Sequence, residues 1–230
     1  MTGSIETLFV AAVTFVGAHF LLASQPVRAG VVQAIGERGF MIAYSAISGA
    51  LFVWMLLAYG AAPYVDVWYP APWTRHVVFT IMPFSVLLVV LGYLTPNPTA
   101  LGGERAFEAP DPAPGIFRIT RHPVMWGIGL WALSHLAANG DQASIVLFAG
   151  LAILAFGGMV AVDAKRARKM GAKWGPLAMT TSILPFMAIL EGRTRFDWAG
   201  IGWRRVGIAL AGFLLLLLGH PYFAGVSLVH

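Results

Sequence analysis

Six histidines and no cysteine bound the chemistry open to this 230-residue chain. Without thiols there is no disulfide, no thiolate nucleophile, no iron–sulfur cluster and no covalently attached c-type haem. Neutral imidazole remains a versatile metal ligand. His19 and His135 both fall inside long apolar runs. At about 1.5 Å per helical residue, His19 lies about 10 Å from Pro26 and His135 about 18 Å from Pro123. Their runs cross a bilayer in opposite directions, so the two imidazoles reach similar depths. Taken singly, each reads as one interhelical hydrogen bond. Taken together, they read as ligands reaching one metal from facing helices. No acid or thiol stands by to close a zinc site. A non-covalent haem b with His19 and His135 as fifth and sixth ligands needs nothing further. Gly17, Ala18 and Gly127 supply small residues beside a flat porphyrin.

Ile119-Thr120-Arg121-His122-Pro123 is the sharpest short motif. One reading is punctuation: proline opens a helix and Arg121 anchors it at the inner surface. The functional reading makes Arg121 and His122 donors to an anionic group, such as a haem propionate or a cofactor carboxylate. His76 and His220 sit at span ends on the outer side.

The elements that must hold these residues follow from composition. Hydrophobic residues make up 58% and charged residues 11%, against roughly 25% charged in soluble domains. Mean hydropathy is +0.76. So few charges cannot cover a water-soluble surface, which excludes an ordinary cytosolic enzyme and a disordered chain. The apolar runs are continuous rather than alternating, so the spans are helices and not barrel strands. Runs at about 6–24, 40–60, 77–94, 123–138, 143–162 and 206–219 approach the roughly 20 residues a crossing needs. Residues 180–190 are too short and contain Pro185, which suits an interfacial or re-entrant piece. The expected fold is an all-α, polytopic membrane bundle of about six spans, forming one domain over 1–230.

Charge then orients the bundle. With 180–190 not crossing, 14 of the 15 basic residues fall on one side and Arg75 alone on the other. If 180–190 crossed, the split would be 10 to 5. The first arrangement puts both termini outside and loops at about 25–39, 95–122 and 163–205 in the cytoplasm. The +5 net charge is thus topological and does not indicate nucleic acid. Residues 1–5 carry no Lys or Arg, so the first run reads as a span and not as a cleaved leader. Prolines punctuate the 95–114 loop, and 163–175 reads as a basic helix on the membrane surface. No Asp, Glu, Lys or Arg lies deep in a span, which argues against a proton pump or ion-coupled transporter.

Over nearly its whole length the chain resembles the NnrU family and, through it, the plastid zeta-carotene isomerases. The matching pieces are His19 with Leu21–Ala23, Ile35-Gly36-Glu37-Arg38 with Phe40, and Ile119–Pro123. Trp131 with His135, the stretch from Thr181 through Pro185-Phe186 to Gly192-Arg193, and His220-Pro221 complete them. The resemblance implies a haem b on His19 and His135, with Glu37, Arg38, Arg121 and His122 in the cofactor-binding set. It implies polyene cis–trans isomerisation, or redox chemistry linked to nitric oxide and denitrification. In the isomerases a cysteine three residues before the second ligand exchanges with it; here that position is Ala132. A weaker resemblance, to isoprenylcysteine carboxyl methyltransferase, rests on Arg121-His122-Pro123 and Leu184-Pro185-Phe186. Where that family has acids, this chain has Lys165, Arg166, Arg168 and Lys169, unsuited to a cationic sulfonium.

Three functions follow as expectations. The first is a haem b protein of a bacterial inner membrane, acting on a hydrophobic molecule or on nitric oxide. The second is a membrane methyltransferase that uses S-adenosylmethionine. The third is a non-catalytic assembly or regulatory factor for a respiratory enzyme.

Overall fold

A computed structural model describes residues 3–99, 103, 106, 109, 111 and 113–226. Arg105, in the proline-rich loop, and the terminal His230 lie outside the described residues. Among the described residues five helices are long and apolar enough to cross a membrane, and Pro123–Ala138 is a shorter apolar sixth. The chain divides into two compact units: Met1–His76 with Ala132–Gly158, and Val77–Trp131 with Met159–His230.

The first unit is built on helices α1 (Ile5–Ala23) and α2 (Gln25–Ala61). Ser4 caps α1 by accepting the Thr7 amide at 3.2 Å, which satisfies one free N–H of the first turn. Ser24 turns the chain, and Pro26 stands in the first turn of α2, where its missing N–H costs nothing. Residues 25–39, expected as a loop, are therefore helical. The break comes instead at Gly36, where φ is 75° and ψ 168°, and it kinks α2; a β-carbon would oppose that conformation. Beyond the kink α2 runs back along α1, with Phe52 5.5 Å from Phe15 and Tyr44 5.7 Å from His19.

Helix α5 (Pro123–Ala138) enters this unit at its C-terminal end and turns tightly into α6 (Gln142–Met170). Asp141 caps α6 by accepting the Ser144 amide at 2.9 Å. The Val67 and Trp68 amides donate to Gly140 O, and a β-carbon at Gly140 would strike the Trp68 carbonyl. Along α6, Gly150 faces Ala12 and Val16, and Gly157 faces Phe20. Small residues let helices close where lipid offers no hydrophobic drive.

In the second unit α3 (Thr74–Leu94) packs on the first turns of α5. Ser85 Oγ donates to Gly127 O at 2.7 Å, and a β-carbon at Gly127 would come 2.6 Å from Ser85 O. The short α4 (Ile116–Ile119), α7 (Trp174–Thr180) and α9 (Trp198–Ile201) contribute to a core of Leu91, Ile116, Phe117, Trp174, Leu177 and Ile201, and α8 (Met187–Leu190) packs on α4. Asp197 ties this core together. Its carboxylate accepts the amides of Gly115 at 2.8 Å and Gly200 at 2.9 Å. Those two amides, with Arg118, hold the carboxyl below its ordinary pKa against the opposing effect of burial. Helix α10 (Trp203–Ala224) is largely exposed and apolar, as a lipid-facing span must be.

One expectation on boundaries is corrected. The basic surface segment is not a separate helix from residue 163: α6 continues unbroken to Met170, because no proline or glycine stands between Asp163 and Gly171. Residues 181–186 lack helix and α8 has four residues, so 180–190 does not form a spanning helix.

Candidate functional site

His19 lies on α1 with Phe15 one turn earlier. Its Nδ1–H donates to the Phe15 carbonyl at 2.8 Å. That bond fixes the tautomer and leaves Nε2 with its lone pair, the arrangement a ligating histidine uses. The ring sits edge-on to Phe15 at 4.5 Å and to Tyr44 at 5.7 Å. Space lies open beside Gly17 on α1 and Gly49 on α2, where an added β-carbon would meet nothing within 4 Å.

His135 lies on α5 in the same unit, half-buried, with its ring 5.3 Å from that of Phe148 on α6. Ala132, three residues before it, is fully buried. Because Gly150 faces Ala12 and Val16, the level of His19 falls about five residues beyond Gly150 on α6. His135, against Phe148, stands about 10 Å from that level at about 1.5 Å per residue. Each imidazole singly could ligate iron, and the apolar surroundings would suit a porphyrin. The pair is not already aligned across one plane.

Glu37 and Arg38 follow the Gly36 kink and are exposed. Glu37 pairs with Arg28, whose guanidinium lies 5.2 Å from the Phe40 ring centre. This pair straddles the kink. His76 is exposed at the start of α3, and His220 Nδ1 bonds Val226 O at 2.9 Å near the C-terminal end of α10.

The second unit holds a buried ionic cluster. Arg121 Nη1 donates to Asp163 Oδ2 at 2.7 Å, and His122 Nε2 donates to Asp163 Oδ1 at 2.7 Å. Arg121 also donates from Nε to Thr181 Oγ1 at 2.9 Å and lies 5.1 Å from the Trp174 ring centre. The side chains of Arg121, His122 and Asp163 are 9%, 0% and 14% exposed. Burial pushes the Arg121 pKa down; Asp163 opposes this, and the nearby Arg193 charge adds to it. His122 Nδ1 is buried with no hydrogen-bond partner among the described residues. Arg121 and His122 thus close on an internal carboxylate, which occupies the place of the propionate or cofactor carboxylate expected there.

The backbone of 181–186 is sewn to this cluster. Arg121 N donates to Ser182 O at 2.8 Å. Thr120 Oγ1 and Trp126 Nε1 both donate to Ile183 O at 2.8 Å. Phe186 N donates to Ile119 O at 2.8 Å and takes φ 65°, a left-handed conformation that costs a residue with a β-carbon about 1–2 kcal/mol. Beside it Arg121, Thr181, Ser182, Met187 and Arg193 line an open cleft of about 440 Å³. The sequence reading missed Asp163 as a partner, seeing only an acid at a span end. Its one signal was the lone acid ahead of Lys165-Arg166.

Long apolar helices with exposed apolar side chains define a polytopic helical membrane protein. The NnrU protein family matches residues 7–228, and the chain belongs to that family. It is 35% identical over 81 residues to the chloroplastic 15-cis-zeta-carotene isomerase of Zea mays, and 37% identical over 79 residues to that of Arabidopsis thaliana. These matches cover 35% and 34% of this chain. The chain spans only 22% of the length of each of these relatives. No solved structure matches.

Proposed function

We propose that this protein is a haem b-dependent cis–trans isomerase of a hydrophobic polyene within a bacterial inner membrane, both termini facing outward. The observation that carries the reading is the His19 tautomer, locked by the Phe15 carbonyl with Nε2 left for a metal. Haem b would be held by His19 and, once the offset of about 10 Å between the levels of the two rings closes, by His135; when bound it supplies an iron that can exchange a ligand and interact with a conjugated chain. The protein's own part is to hold the first imidazole rigid through Phe15 and Tyr44, and to keep water out with apolar helices. Similarity to the two carotene isomerases supports a polyene as the molecule acted on.

The buried Ala132 favours one second reading: with no thiol to exchange, both histidines stay bound, and the haem carries electrons in nitric oxide-linked chemistry. The assay that separates them uses protein reconstituted in liposomes with 15-cis-zeta-carotene, products being resolved by chromatography. The isomerase reading expects time-dependent loss of the 15-cis isomer, abolished by His19→Ala. A haem-loaded protein that leaves the 15-cis isomer unchanged, oxidised or reduced, would contradict it.

A further inference from the structure

Two guanidinium groups converge on one carbonyl in the second unit. Arg193 Nη1 donates to Thr181 O at 2.8 Å, and Arg121 Nη2 lies 3.4 Å from the same oxygen. Each arginine has a carboxylate, but on other nitrogens: Asp163 on Arg121 Nη1 and Glu191 on Arg193 Nε. Arg193 Nη2 has no partner among the described residues. Like charges so placed repel unless an anion lies between them, and guanidinium forks suit phosphate oxygens. Both arginines line the open cleft.

The rim of this cleft is apolar and turned outward. Met179 is 65%, Leu184 53% and Met187 36% exposed. A small water-soluble anion would satisfy the arginines and leave this rim in water. A neutral apolar ligand would cover the rim and leave the charges facing each other. A molecule with a phosphate at one end and hydrocarbon at the other satisfies both.

We propose that the cleft binds the phosphodiester headgroup of an anionic membrane phospholipid between Arg121 and Arg193, its chains lying against Met179 and Leu184. The 181–193 segment is then a built-in lipid clamp at the membrane surface, independent of any haem chemistry.

The test is native mass spectrometry of the full chain in a neutral detergent, titrated in parallel with phosphatidylglycerol, phosphatidylcholine and inorganic phosphate. Wild type should retain phosphatidylglycerol at least tenfold better than phosphatidylcholine. Met187→Glu, which puts a carboxylate on the cleft wall and removes no hydrogen bond, should abolish that preference. Arg193→Gln should do the same, but it also releases carbonyls of 178–181, so Met187→Glu is the decisive variant. Lys173→Gln, exposed outside the cleft, should keep the preference. Equal retention of the two lipids by wild type would overturn the proposal, as would a preference that survives Met187→Glu. It would also fall if inorganic phosphate displaced the lipid at equal concentration, or if Lys173→Gln lost as much as Met187→Glu.

Discussion

Replacing Asp163 with alanine removes the shared acceptor of Arg121 and His122, both at 2.7 Å. Exposure decides the expected cost. A surface ion pair contributes about 0.2–1 kcal/mol, whereas removing one partner of a buried pair costs about 3–5 kcal/mol. With Arg121 9% and Asp163 14% exposed, the second figure applies. Arg121 cannot swing out to water easily, because Thr181 Oγ1 and the Trp174 ring still hold it. Its charge therefore stays buried without a counter-ion, and the loss is expected at about 3–5 kcal/mol. The paired change Arg121→Met with Asp163→Leu removes both charges and should cost less than Asp163→Ala alone. Unfolding in mixed detergent micelles, followed by helical circular dichroism, measures all three. A loss below about 1 kcal/mol for Asp163→Ala would refute the reasoning, as would a double variant as unstable as the sum of its single changes.

Two other outcomes follow. Cysteine introduced at Tyr69, 92% exposed beside the α5–α6 turn, should react with an impermeant reagent from outside the cell, and one at Arg195 only from inside; outside labelling at Arg195 would mean that 180–190 crosses. Asp197 has its carboxyl held below the ordinary value, so its contribution is complete above about pH 4 and is lost as pH falls through the lowered folded value. The gap in thermal midpoint between wild type and Asp197→Asn should therefore shrink on acidification below about pH 4, and a constant or widening gap would contradict this.

Spans were readable from sequence because their signal is local: an unbroken apolar run carries its own evidence. Helix ends were less readable. Residues 25–39 looked like a loop because Pro26, Arg28 and Arg38 suggest a surface, yet proline in a first helical turn is compatible with helix. The continuation of α6 to Met170 was hidden because charge suggested a boundary where backbone propensity did not. His19 and His135 were readable as imidazoles within apolar spans, but the Phe15 carbonyl bond that selects the His19 tautomer depends on a rotamer. Asp163 was invisible as a partner because its contacts lie 41 and 42 residues away in sequence, and no periodicity reports such a distance. The left-handed Phe186 had no sequence signal either, since glycine or asparagine is the usual mark of that conformation.

The central claim is that His19 and His135 hold a haem, and the absorption spectrum of detergent-purified protein from haem-replete cells tests it most directly. The account predicts a Soret band with low-spin alpha and beta bands on reduction, shifted or lost in His19→Ala and in His135→Ala. His76→Ala, at an exposed residue opening α3, should leave the spectrum unchanged. Wild-type protein with no Soret absorption, or a His19, His135 double variant with an unaltered spectrum, would contradict it.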